Sequence, residues 1–159
     1  MAHSVVIALG SNLGDRRLNL RRAVHGLRLV MSVVRLSSIH ETEPVDAPLG
    51  SPAFLNMVLA GQTPLEPEAL MSALLAIEAQ LGRRRGMRNA PRTIDLDLIL
   101  HGAHLRGSPM LTLPHPRYRD RAFVMVPLAE LGLPWRDPRS GKSLPVRVDG
   151  GVGAGLYID

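Results

Sequence analysis

A chain of 159 residues with net charge +5, 45% hydrophobic and 21% charged residues and no cysteine is the size of one domain with a substantial buried core. No apolar run approaches the roughly 20 residues that span a bilayer, and the absence of cysteine excludes disulfides, thiol catalysis and zinc-thiolate sites. Met1-Ala2-His3-Ser4 runs into strand-like residues without a basic export region, so a cytoplasmic location is expected.

Ser4 to Leu9 is a short β-branched apolar run closed by Gly10 and predicts a buried strand. Asp15 is placed to cap a helix whose apolar residues Leu20, Val24, Leu27 and Met31 recur at helical spacing. Ser32 to His40 returns to a strand pattern, Pro44 to Pro52 is a loop, and Phe54 to Gly61 is a further strand. Pro67 suits the first turn of a second helix with Leu70, Leu74, Ile77 and Leu81 as its buried stripe and Gly82 at its end. Ile94 to Leu100 is the fourth strand, and a short helix is expected near Phe123 to Leu131. The order β-α-β-β-α-β predicts an α+β, ferredoxin-like fold: an antiparallel sheet with helices on one face and ligand-binding loops on the other. Residues 1–133 are expected to carry it. Residues 134–159, rich in Pro and Gly, read as a tail that is mobile or loosely docked on the same domain.

Charge is concentrated. The stretch from Gly82 to Arg92 holds Arg83, Arg84, Arg85, Arg88 and Arg92 and no acid, which accounts for a charge equal to that of the entire chain. Such a cluster fits a local anionic ligand better than a nucleic-acid-coating face. Directly after it, Asp95-Leu96-Asp97-Leu98 puts two carboxylates on one face of a strand, the donor set of a hard cation such as Mg²⁺. A carboxylate pair beside guanidiniums that can grip phosphate bidentately is equipment for a metal-bound polyphosphate.

Other residues divide into candidates and decoys. Gly141-Lys142-Ser143 lacks the upstream glycine of a P-loop. Gly10-Ser11-Asn12-Leu13-Gly14 fits an anion cradle and a plain tight turn equally. His115, between two prolines and followed by Arg117, Arg119 and Arg121, suits phosphate, whereas His101 and His104 lack a clear third ligand and read as loop residues. Asn56 interrupts an apolar strand with an amide that matches a heterocycle edge, and Phe54 and Phe123 are core residues or a stacking pair around a flat ligand.

Seven segments occur in an order that closely resembles the 6-hydroxymethyl-7,8-dihydropterin pyrophosphokinase family of folate synthesis. They are Gly10-Ser11-Asn12-Leu13-Gly14, Glu41-Thr42-Glu43-Pro44, Phe54-Leu55-Asn56, Gly82-Arg83, Pro91 to Leu98, Pro114-His115-Pro116-Arg117 and Arg121-Ala122-Phe123-Val124. The resemblance spans about Val5 to Leu128. It implies transfer of pyrophosphate from ATP to the hydroxymethyl group of the pterin with release of AMP. It also implies two Mg²⁺ on Asp95 and Asp97, with Arg83 and Arg92 joining them as catalytic residues. Carried over residue by residue, Thr42, Pro44, Phe54, Asn56 and Phe123 form the pterin pocket, while Glu78, Arg83, Arg88, Arg92, His115 and Arg121 serve ATP.

The chain departs from the family pattern at Asn89, where an aromatic is usual, and at Gly86 and Met87, where polar residues are usual. The segment from Gly82 to Pro91 is expected to act as a lid that closes on ligands. The partners expected are the two small-molecule substrates, without nucleic acid or membrane, and a monomer is expected. Two alternatives are a Mg-dependent phosphohydrolase and an RNA-binding ferredoxin-like module; the nearly aliphatic central strands count against the second.

Overall fold

In the computed structural model, residues 2–43, 49–83 and 92–147 are described. Strand β1 (His3–Ser11) leads into helix α1 (Arg16–Leu27), then β2 (Ser32–Leu36), β3 (His40–Thr42) and β4 (Phe54–Thr63). Helix α2 (Pro67–Gln80) and strand β5 (Asp95–His101) complete the βαββαβ core. A two-residue hairpin, β6 (Arg106–Gly107) and β7 (Thr112–Leu113), precedes a 3₁₀ turn at Tyr118–Asp120 and helix α3 (Ala122–Glu130).

The predicted elements form for the predicted reasons. Asp15 Oδ1 accepts from the Leu18 amide 3.1 Å away, which satisfies one of the free N–H groups of the first turn of α1. Met31, placed by its spacing on the same stripe, lies past the helix end and is buried in the turn before β2. Gly82 ends α2 with a φ of 87°, in the region that favours glycine.

The sheet order is β2-β4-β1-β5 with β3 also on β4, and every pair is antiparallel. The run from Ser32 to His40 therefore splits into two strands along one edge of β4. Val5, Ile7 and Leu9 of β1, Leu55, Met57 and Leu59 of β4, and Leu96 and Leu98 of β5 face α1 and α2.

The fold class is the ferredoxin-like one expected, and its second face is shared. Val6, Ala8, Val58, Ala60 and Ile99 are buried there against Tyr118 and against Val124 and Leu128 of α3. Loops and ligands thus have only the part of this face that α3 leaves, the end where β5 begins. The chain from 134 to 147 docks on α3: Leu144 is buried in the second core, and the Arg147 amide donates to the Ala129 carbonyl. The Gly141-Lys142-Ser143 segment belongs to a tight turn closed by an Arg136–Ser143 bridge. Among the described residues no helix is long and apolar enough to cross a membrane.

Candidate active site

Strand register builds the site. Gly10 is paired with Asn56 on one side and with Asp95 on the other, and His40 is paired with Asn56, so one row crosses the open end of the second face: His40, Asn56, Gly10, Asp95. The next row holds Asp97, Ala8 and Val58. Alternation along β5 puts both carboxylates on this face while Leu96 and Leu98 go to the core. Gly10 is small for a reason: a Cβ there would meet Asn56 Oδ1 at 3.0 Å and the Phe54 ring at 3.4 Å. The glycine keeps open the floor between the acids and the amide.

Both Asp95 oxygens are held by arginine, Oδ1 by Arg83 Nη1 and Oδ2 by Arg92 Nη1, each at 2.9 Å. Arg83 also donates to Glu78 Oε2 at 2.9 Å, and that oxygen accepts from the Leu96 amide at 2.8 Å. Buried Glu78 therefore stands behind Arg83 and fixes it against the start of β5. Asp97 keeps a third of its side chain exposed, with Arg121 Nη1 4.0 Å from its carboxylate. Burial of the carboxyl, and then the neighbouring charge of Asp95, push its pKa up to about 7.

Each carboxylate and its arginine leads to an aromatic ring. The Arg92 guanidinium lies 5.9 Å from the centre of the Phe54 ring, and the Arg121 guanidinium 5.6 Å from that of Phe123, at the start of α3. Asn56 is buried, and its amide nitrogen donates to Thr42 Oγ1 across the β3–β4 pair. The structure thus brings Thr42, Phe54, Asn56, Arg83, Arg92, Asp95 and Asp97 to one end of the sheet, with Arg121 beside Asp97. Pro44, Arg88 and the proposed lid with Gly86, Met87 and Asn89 lie outside the described residues.

His115 is held by its backbone, whose amide donates to the Ile99 carbonyl at 2.9 Å. Its Nδ1 accepts from the Arg117 amide at 3.1 Å, which leaves Nε2 as the protonated nitrogen. Burial, reinforced by Arg121 and Arg117, lowers its pKa to about 4, so at neutral pH His115 is an uncharged hydrogen-bond donor.

Two contributors escaped the sequence. Asn12 grips the backbone of Arg92: its amide donates to the Arg92 carbonyl at 3.0 Å, and its Oδ1 accepts from the Arg92 amide at 2.7 Å. Its Nδ2 also donates to the Pro52 carbonyl at 3.2 Å, and Asn19 braces the same loop through Ser11 and Leu13. The Gly10 to Gly14 segment, open to reading as an anion cradle or a plain tight turn, also braces the backbone of an arginine. The second contributor is Glu130, buried at the end of α3, whose carboxylate takes His40 Nε2 at 2.7 Å and the Ser38 hydroxyl at 2.8 Å and so fixes the outer end of the row. A lone buried acid in an apolar helix was the only sign of it.

The family model for 7,8-dihydro-6-hydroxymethylpterin-pyrophosphokinase (HPPK) matches residues 6–133. The chain belongs to this family. It is a pyrophosphokinase of folate synthesis. The pyrophosphokinase of Synechocystis is 41% identical over 144 residues, covering 89% of this chain and 73% of that one. That of Bacillus subtilis is 43% identical over 133 residues, covering 82% and 79%. Among solved structures, the wild-type HPPK-DHPS chain of Plasmodium falciparum superposes with a TM-score of 0.67 at 13% identity, over 91% of this chain and 44% of that one. At that identity the likeness shows the fold alone. This pyrophosphokinase chain spans less than half of the solved one.

Proposed function

We propose that this end of the sheet transfers the pyrophosphoryl group of ATP to the hydroxymethyl oxygen of 6-hydroxymethyl-7,8-dihydropterin. The register of Asp95, Gly10 and Asn56 carries the reading. At about 4.8 Å per strand step, the amide that can read a pterin edge lies roughly 10 Å from the carboxylate that can hold a metal-bound phosphate. An alcohol carried by the pterin has that gap to reach across, and Gly10 leaves it unfilled.

Asp95 and Asp97 offer oxygen donors only, on one face, as Mg²⁺ requires, and they are assigned two ions. Bound there, Mg²⁺ supplies neutralisation of charge on the triphosphate and orients it. Arg83, Arg92 and Arg121 take phosphate oxygens, and neutral His115 adds a donor through Nε2. Arg88 belongs to the same group. Asn56, Thr42 and Pro44 read the pterin edge, and Phe54 and Phe123 flank its ring. The alcohol oxygen then attacks the β-phosphorus in line. A bond forms between them, the bond from that phosphorus to the oxygen bridging the α-phosphorus breaks, AMP leaves, and the alcohol proton passes to a base or solvent.

Without substrates the acids and bases satisfy one another, since both Asp95 oxygens hold guanidiniums that the phosphates need. Asp95 would have to give up these guanidiniums to hold a cation, and Arg83 and Arg92, once released, would be free to take phosphate oxygens. The test is AMP release from Mg-ATP with and without the hydroxymethyldihydropterin. The expected result is AMP and pterin diphosphate in equal amounts, only with the acceptor; phosphate release without acceptor would instead support the phosphohydrolase.

A further inference from the structure

The far end of the sheet carries a second cluster of metal-ligating groups. His3 opens β1, His101 closes β5, and His104 lies on the turn that follows; their ring centroids are 4.9, 5.2 and 4.9 Å apart, and one nitrogen of each lies within 4.8 Å of the others. Glu66, just before α2, adjoins two of the three: Oε2 is 2.9 Å from His3 Nε2 and Oε1 is 3.7 Å from His104 Nε2. We propose that His3, His101, His104 and Glu66 form a zinc site that ties the ends of β1 and β5 to the start of α2.

Three observations carry the assignment. The first is a bulge. In β5, Leu98 pairs with Ile7 but Leu100 pairs with Val6, leaving Ile99 as the extra residue. Strict alternation from Asp95 and Asp97 would send His101 to the substrate face. The bulge reverses the parity, so that His101 pairs with Val5 and joins His3 on the helix side.

The second is how His101 is held. It is buried, and its Nε2–H donates to the Leu65 carbonyl at 2.9 Å, which fixes the ring and leaves the Nδ1 lone pair for a ligand. A backbone carbonyl on the far nitrogen is the usual partner of a metal-bound histidine.

The third is the donor set and spacing. Three imidazoles and one carboxylate suit four-coordinate Zn²⁺, whose bonds of about 2.0 to 2.1 Å place donors about 3.3 Å apart. His101 Nδ1 and His104 Nδ1 are already 3.0 Å apart. His104 Nδ1 also lies 3.0 Å from the His101 carbonyl, a contact its ring exchanges for the metal. His3 and His104 are partly exposed at 21% and 27%, with room to turn inward, while His101 serves as the fixed point. His101 lies six residue steps along β5 from Asp95, about 20 Å at the rise of an extended strand, so the cluster is distinct from the proposed Mg²⁺ site.

The experiment titrates the full chain with Co²⁺ alone, then Zn²⁺ alone, in excess Mg²⁺ that fills the carboxylate pair. One Co²⁺ per chain with the intense visible absorption of a four-coordinate ion, displaced by one Zn²⁺, is expected. Saturating Zn²⁺ should also raise the melting temperature. His3→Gln and His104→Gln should each weaken binding at least about tenfold, while Asp97→Asn leaves it intact and His3→Gln leaves Mg-dependent transfer unchanged. X-ray absorption on the unmutated zinc-loaded protein, which depends on no variant folding, should count three imidazoles. A six-coordinate spectrum, affinity unaltered in both histidine variants, loss of binding in Asp97→Asn, or no imidazole shells would each overturn the site.

Discussion

The two acids of β5 are alike in sequence and unlike in the fold, and their variants should separate them. Asp95→Asn keeps one acceptor oxygen but sets an NH₂ donor against the other of two guanidiniums at 2.9 Å, so it is expected to cost about 1 to 3 kcal/mol of stability along with turnover. Asp97→Asn is expected to abolish turnover while stabilising the substrate-free protein. The sign follows from proton linkage: with a folded pKa of about 7 against an ordinary 3.8, the folded wild type holds a proton that the unfolded chain has lost. Wild-type stability from this group therefore falls as pH rises from about 4 to 7, and the asparagine variant escapes the loss. Thermal melts of both variants across that window, without metal, measure the difference; equal shifts in the two would contradict the assignment. His115 acts in the opposite sense, since its folded pKa of about 4 lies below the ordinary 6.5 and stability is lost as pH falls between them.

Element by element, the sequence disclosed what periodicity and capping govern: Asp15 at α1, Gly82 after α2, and alternation that sends Leu96 and Leu98 inward and both acids outward. It did not disclose what strand pairing decides. Nothing local says that Gly10 lies between Asn56 and Asp95, that α3 shares the second face, or that a bulge at Ile99 turns His101 towards His3. The resemblance implies which residues meet the substrates, and the register explains why a glycine lies between Asn56 and Asp95. Gly10→Ala should weaken pterin binding at least about tenfold, because its Cβ enters the slot beside Asn56 and Phe54, while ATP affinity changes little. Asn56→Asp should show the same selectivity by replacing amide donors with acceptors, at about 1 to 3 kcal/mol per unmatched group. Calorimetric titration with each ligand checks both, and parallel losses for ATP and pterin would make these residues merely structural.

Across the molecule, one sheet carries two clusters of ionisable residues at opposite ends, joined by β1 and β5. At the end proposed to be catalytic, the ion pairs of Asp95 imply reciprocal coupling: Mg²⁺ should tighten ATP binding and ATP should tighten Mg²⁺ binding by the same factor. Titration of each ligand in the absence and presence of the other reads that factor, and independent binding would contradict the exchange of partners. The most direct test of the transfer itself is the fate of an ¹⁸O label placed in the pterin hydroxyl. Attack of that oxygen on the β-phosphorus should leave all the label in the ester oxygen between the methylene carbon and the diphosphate and none in AMP, with one AMP formed per product. A labelled pterin adenylate with free pyrophosphate, or unlabelled phosphate without a pterin product, would contradict it.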